Sequence, residues 1–348
     1  MTTTTPARVR LVTRTASGPV PALLANDVNE ALTAVRAWPD TPRPGEGATA
    51  ELWETLATVA ATDLAVARAV EPHLDALAIL HQAGVTEFAR VPPAQLTWGV
   101  FAAEGPAGRV LATPGNHSDE TWRLTGAKPW CSLADRLDAA LITAFVPSGE
   151  RRLFAIDLRA GGITLSTDRW VSRGLSEIPS VGIALANVAG RPVGDTGWYL
   201  TRPGFEWGGM GVAACWYGGA VGLARTVFAA VSERDDQDLL MAGLGRIDEQ
   251  LTAARTALAH AAGLVDGEQG RRREVMRVAA KRVRAVVARA CEDVLATSAH
   301  VLGPAPLTMD EDHAKRVADL QVYVRQHHGE RDLAALGRAL VTDGPAPW

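Results

Sequence analysis

The hydrophobic period of this chain changes twice, and those two changes constrain its layout more than any other feature. From about Glu51 to Leu80, apolar residues recur at three- and four-residue steps (Leu52, Leu56, Val59, Leu64, Ala67, Val70), the spacing of a helix with one buried face. Pro72 is expected to end one helix or open the next, and "HLDALAILHQAG" carries the period to Gly84 before "RVPPAQ" breaks it. Between about Leu96 and Val193 the pattern becomes strand-like. "RVLATP", "WRLTGAKPW", "AALITAFV", "RLFAIDL", "GITLST" and "VGIALANV" are short runs divided by Gly, Pro, Asn, Asp and Ser. Turn signals at roughly 8–15-residue intervals belong to an antiparallel barrel or sandwich.

After about Gly208 the helical period returns. Helices are expected over 209–234, 237–264, 271–300 and 310–342, with breaks at "VDGEQG" and "GPAP". The expected fold class is α+β: a loose tail over 1–26, a helical domain over 27–95, a middle antiparallel β-barrel domain over 96–205 and a helical bundle over 206–348. A chain of 348 residues, 47% apolar and 21% charged, has the length and composition for two or three such domains, each with a core.

Composition then removes several classes of function. A net charge of -4 gives no general attraction to nucleic acid or to an anionic membrane. Cys131, Cys215 and Cys291 are far apart and form no CxxC or Cys/His spacing, so no metal site is expected and a reducing compartment, the cytoplasm, is. The first 26 residues carry arginines and no acid, yet show neither an amphipathic stripe nor an apolar signal core, hence the reading as a tail. The longest apolar span, 212–231, contains Arg225 together with Gly218, Gly219 and Gly222, which suits a closely packed buried helix better than a membrane span.

Seven of the ten tryptophans (98, 122, 130, 170, 198, 207 and 216) lie in or beside the β region, where most are expected to be core or rim residues. One stretch stands apart: "GAKPWCSLAD", residues 126–135. On a strand, side chains at i and i+2 share a face, so Trp130 and Ser132 would look out together. An indole can pack on a flat ring system and a hydroxyl can hydrogen-bond a ring nitrogen. A β domain that simply keeps a core tryptophan is the other reading of the same pair.

The order of domains and this stretch resemble the acyl-CoA dehydrogenase superfamily, whose members carry a Gly-x-Lys-x-Trp-[Ile/Cys]-[Ser/Thr] segment, matched by Gly126, Lys128, Trp130, Cys131 and Ser132. "ADRLDAALITAFV" is similar to the strand that follows it, and "EPHLDALAIL" to the helix before the β domain. The resemblance implies a flavin, FAD with FMN possible, with Trp130 and Ser132 lining its ring. The family's Thr-Glu-Pro-Gly-type loop is matched by "VFAAEGPAGR", where Ala103 takes the threonine's place, so only main-chain contacts carry over. It further implies a homodimer or homotetramer formed through the C-terminal helices, and a small acyl substrate, such as a CoA thioester.

The resemblance fails at the base. Abstraction of an α-proton calls for a desolvated carboxylate of raised pKa, but counting forward from Asp319 lands on His327 and counting back from Arg338 lands on Gln326. A second branch places its base near Val212, again with no acid there; Glu206 and Glu330 are the nearest. His327, with Glu330 in reserve, is therefore the candidate for proton handling. For the dinucleotide end only Arg234 and Gly303 match. Arg273, Arg277, Lys281 and Arg284 form one helical stripe, expected to be a solvated face or, functionally, a phosphate site. The expected activity is oxidation of an acyl thioester or related small acyl compound. The alternatives are a flavin-dependent monooxygenase of the same fold, favoured by the paired histidines and the missing acid, or a non-catalytic relative.

Overall fold

Asp63 divides what the periodicity reads as a single helical stretch. The computed structural model describes residues 7–12, 27–38, 42–105, 108–115, 121–232 and 238–342. Pro106, Arg234 and most of the expected tail lie outside them. Helix α1 (Val28–Val35) is capped by the Asp27 side chain, and α2 (Thr49–Thr62) runs to Asp63. The Asp63 carboxylate then accepts from the Ala65 and Val66 N–H groups (2.7 and 3.0 Å) and opens α3 (Leu64–Gln82). Pro72 neither ends nor opens a helix; it sits inside α3. The helix is buried along most of its length, so packing outweighs the one hydrogen bond that a proline removes.

The tail expectation is corrected for residues 7–12. Val9 and Leu11 are buried, and their N–H groups donate to Thr58 Oγ1 (2.9 Å) and Glu54 Oε1 (2.8 Å) on α2.

The strands are β1 (Trp98–Phe101), β2 (Val110–Pro114), β3 (Trp122–Lys128), β4 (Ala139–Phe145), β5 (Arg151–Asp157), β6 (Ile163–Leu165) and β7 (Ile183–Val193). Pairings run β4–β2–β3–β7–β5 and back to β4, which closes a small barrel; β1 and β6 add to β4 and β7. The ladder is antiparallel except where β1 and β2 meet β4 in parallel. Nearly every residue of β4 is buried, because its two faces serve two cores. Ala140, Ile142 and Ala144 join the main core, whereas Ala139 and Leu141 pack with Ile79 and Leu80 of α3.

A short α4 (Trp198–Thr201) leads into α5 (Gly204–Ser232), α6 (Asp238–Asp266) and α7 (Arg273–Leu302). Then come α8 (Ala305–Met309), α9 (Glu311–Tyr323) and α10 (Glu330–Thr342). The single helix expected over 310–342 is broken: a 3-10 turn over Val324–Gln326 and Gly329, at φ 51°, separate α9 from α10. Helix α5 is the hub, packed on α2, α3, α6, α7 and α9. By length and composition it is the one described helix that would suit a membrane, but 61% of its apolar window is buried inside the protein. Its approach to α2 depends on Gly218, where a Cβ would stand 2.2 Å from the Ala57 carbonyl oxygen.

Candidate active site

A cavity of about 1010 Å³ opens where the barrel meets α3, α5, α7 and the segment after α9. Ligand pockets run from roughly 300 to 1,000 Å³, so there is room here for a ring system and a second small molecule. The barrel contributes Ala103, Glu104, Trp130 and Ser132; α3 contributes Arg68, Glu71 and Asp75; Glu206, Lys281, Arg284 and His327 face them.

Strand β3 ends at Lys128, so Trp130 and Ser132 do not alternate along a strand as expected. They occupy a turn in which Trp130 (φ 59°) and Leu133 (φ 57°) both take the left-handed conformation. That conformation disfavours any side chain with a Cβ by roughly 1–2 kcal/mol. The turn is pinned by the Cys131 N–H donating to the Val181 carbonyl (3.0 Å) and the Leu133 N–H to the Pro179 carbonyl (2.9 Å). Among the described tryptophans Trp130 alone is exposed, at 61%. Ser132 is buried; its hydroxyl accepts from Arg68 Nη2 (3.0 Å) and pairs with Ser180 Oγ (2.7 Å). The sheet-face argument therefore fails in its geometry, although both residues still line one wall.

Lys128 explains why the loop before β2 stays at this wall. Its buried ammonium donates to Glu104 Oε1 (2.7 Å), to the Thr143 carbonyl (3.0 Å) and to Thr143 Oγ1 (2.8 Å). Burial pulls the Lys128 pKa down, opposed by Glu104. The Glu104 carboxylate is thereby turned to the barrel, and Ala103 presents only main chain and a methyl group to the cavity.

His327 lies at the cavity, half-buried, with Nε2 shielded from solvent and without a partner. Burial lowers its pKa, opposed by Asp332. His328 is exposed, and its N–H donates to Asp332 Oδ2 (3.0 Å). Glu330, the reserve base, is exposed at the start of α10 and does not line the cavity, because Gly329 turns the chain so that Arg331 and Asp332 do. Gly303 also lies off the cavity; its φ of 68° ends α7, a conformational task suited to glycine. The basic stripe on α7 is not wholly solvated. Lys281 and Arg284 reach the cavity, and Arg284 donates to the Gly209 and Gln326 carbonyls (2.8 Å each) while lying 4.6 Å over the Trp216 ring.

The acids and bases on α3 escaped the sequence reading. Glu71 is only 8% exposed; burial foremost, and then Asp75, push its pKa up to about 8 against Arg68 and Arg284. Asp75 is raised by burial and faces Arg202 Nη2 at 3.7 Å. Glu206 is raised by burial in spite of Lys281 and three arginines. A sequence signal existed: charges at 68, 71 and 75 fall on one face of an otherwise apolar helix.

This wall fits a flavin. It offers a flat exposed indole, main-chain groups at Ala103, cations at Arg68, Lys281 and Arg284, and shielded polar atoms without partners at His327 Nε2 and Arg202 Nε. Among the described residues no group of three or more His, Cys, Asp or Glu is placed to hold a metal.

No protein-family profile and no curated protein matches the sequence. Solved structures do match. Butyryl-CoA dehydrogenase from Megasphaera elsdenii superposes with a TM-score of 0.76 at 16% identity, covering 90% of this chain and 89% of that one. KijD3, in complex with FMN and dTDP-3-amino-2,3,6-trideoxy-4-keto-3-methyl-D-glucose, gives 0.74 at 17% identity, covering 96% of each chain. The dibenzothiophene monooxygenase TdsC from Paenibacillus sp. A11-2 gives 0.71 at 17% identity, covering 85% of this chain and 84% of that one. Matches over nearly the whole length, with the same succession of helices, barrel and helices, give this chain the acyl-CoA dehydrogenase fold.

Proposed function

We propose that the protein is a flavin-dependent oxidoreductase acting on a small acyl compound, an acyl thioester or a polar relative of one. The observation that carries this is Trp130, a strained and exposed indole held against a large cavity beside Ser132. A fold shared with proteins solved with FMN, KijD3 and TdsC, supports it. Bound there, a flavin would supply a two-electron acceptor. Trp130 would provide its flat apolar contact, Ser132 and the Ala103 main chain its polar contacts, and Arg68, Lys281 and Arg284 a counter-charge for phosphate. FAD and FMN both remain in the proposal; with Gly303 away from the cavity, nothing at the described site singles out the dinucleotide.

The charged wall of α3 bears on the substrate. A long aliphatic chain laid against Arg68, Glu71 and Asp75 would strip water from charged groups without replacing it. This charged wall supports a short or polar acyl compound as the substrate. One observation favours the monooxygenase alternative: positions 326 and 327 bring a glutamine and a half-buried histidine, not a carboxylate, to the cavity. Photometry under nitrogen separates the two. Bleaching of the reconstituted yellow protein by a short-chain or hydroxylated acyl-CoA supports the dehydrogenase. A protein that no acyl-CoA bleaches, but which consumes oxygen once reduced, supports the oxygenase, and a folded protein that takes up no flavin refutes both.

We place the protein in the cytoplasm on its three free, separated cysteines. A homodimer or homotetramer is proposed on the exposed Phe228, Leu239 and Met241 of α5 and α6.

A further inference from the structure

Glu71 projects from the middle of α3 into the cavity, and none of the described hydrogen bonds reaches its carboxyl group. Its oxygens are open to the cavity and not sealed off from solvent, so their bonding capacity faces whatever fills it. The groups around it come from every neighbouring element: Arg68 and Asp75 on α3, Tyr199 on α4, Cys215 on α5, Arg284 on α7 and Tyr323 on α9. Asp75 lies one turn farther along the same helix face, held by Arg202. Two carboxyls one helical turn apart, Glu71 buried and Asp75 half-buried, disfavour double ionisation and titrate as a pair. Burial and Asp75 together hold the Glu71 pKa at about 8.

We propose that Glu71, with Asp75 one turn away, is the acid–base residue of the cavity, exchanging a proton directly with the substrate in place of the carboxylate that positions 326–327 lack. The step is a proton transfer alone. A substrate O–H, N–H or activated C–H bond breaks, an O–H bond forms on Glu71, and the electron pair stays with the substrate; the reverse step returns the proton. The substrate must therefore carry such a hydrogen beside its reacting centre. The nature of the reaction rests on the oxidoreductase reading; the acid itself does not.

The test uses diazoacetamide on the folded protein, with and without added flavin, followed by peptide mass spectrometry. A diazo compound esterifies a protonated carboxylic acid: the carboxyl proton moves to the diazo carbon, the carboxylate oxygen bonds to that carbon, and dinitrogen leaves. At pH 6.5 a carboxyl titrating near 8 is almost wholly protonated, whereas an ordinary glutamate is protonated to less than about 1%. Glu71 is expected to be esterified heavily at pH 6.5, above the exposed Glu330, with its own labelling falling about 30-fold by pH 9.5. Asp75→Asn should move the labelling midpoint down. Glu71→Gln should remove the ester from its peptide and leave flavin uptake intact. Labelling of wild-type Glu71 no greater than that of Glu330 overturns the proposal even if the variant fails to fold. A midpoint unmoved by Asp75→Asn overturns the pairing. A protein that labels at Glu71 but takes up no flavin refutes the oxidoreductase reading and upholds the acid; a yellow protein with unlabelled Glu71 refutes the acid alone.

Discussion

Replacing Trp130 by alanine and by glycine separates its contribution to the fold from its contribution to a ligand. With 61% of the residue exposed, roughly 100 Å² of its surface is withdrawn from water, about 2 kcal/mol at 25 cal/mol/Å² as an upper bound. A fully buried tryptophan such as Trp216 would cost about 3–5 kcal/mol on truncation to alanine. Trp130→Ala and Trp130→Gly lose the same contacts but differ at φ 59°, where alanine keeps a strain of about 1–2 kcal/mol that glycine relieves. Glycine gives back about 0.5–1 kcal/mol of this through its freer unfolded chain. The expected order in urea melts of the flavin-free protein has Trp130→Gly more stable than Trp130→Ala by up to about 1 kcal/mol, the reverse of the usual ranking. Both variants should lose the stacking contact, about 2 kcal/mol or roughly 30-fold in flavin Kd, read by titrating FMN and FAD into the apoprotein and following the quenching of flavin fluorescence. The reasoning is refuted if Trp130→Ala costs 3 kcal/mol or more, in the manner of a core residue, while flavin affinity is unchanged.

Other expectations rest on single observations. Burial lowers the His73 pKa to about 4 from 6.5, and its Nδ1 accepts the Trp98 N–H at 3.3 Å. A folded-state pKa below the unfolded one means stability is complete above about pH 6.5 and falls away as pH drops toward 4, by about 3 kcal/mol. Urea melts at the two pH values should show this loss, and His73→Gln should reduce it. Glu104→Ala strands the Lys128 ammonium, costing about 3 kcal/mol in denaturant melts, and adding Lys128→Met to Glu104→Ala should recover part of the loss. Gly218→Val drives a side chain into the Ala57 carbonyl and should cost about 3 kcal/mol, whereas Gly245→Ala, with open space beside it, should be neutral or stabilising by up to about 1 kcal/mol in the same melts.

The order of helices, barrel and helices was legible because hydrophobic period is a local property, and each run from "RVLATP" to "VGIALANV" contains a strand. Boundaries set by single side chains were harder to read. The Asp63 cap is the strongest break in the N-terminal helices, yet Pro72 drew the expectation because its effect on an isolated helix is larger than on a buried one. The parallel pairing of β1 and β2 with β4 is a tertiary fact with no local signature.

At the site, Trp130 and Ser132 were found for a reason that proved geometrically wrong, since a left-handed turn and not a strand brings both to the cavity. Glu330 looked suitable in sequence because its distance from the expected slot is short. Gly329 then turns it outward and brings Asp332 in. Glu71 was missed because it belongs to a helix read for its apolar face. A buried charge in such a helix reveals itself only when the neighbouring elements are in place.

The central claim is that the Trp130–Ser132 wall holds a flavin. Equilibrium titration of the folded apoprotein with FMN and with FAD tests it most directly, with the visible spectrum and the tryptophan emission recorded together. The account predicts saturation at one flavin per chain for at least one of the two, a perturbed yellow spectrum, and quenching that is mostly lost in Trp130→Ala. A folded protein whose spectrum and emission stay unchanged with both flavins in large excess would contradict it.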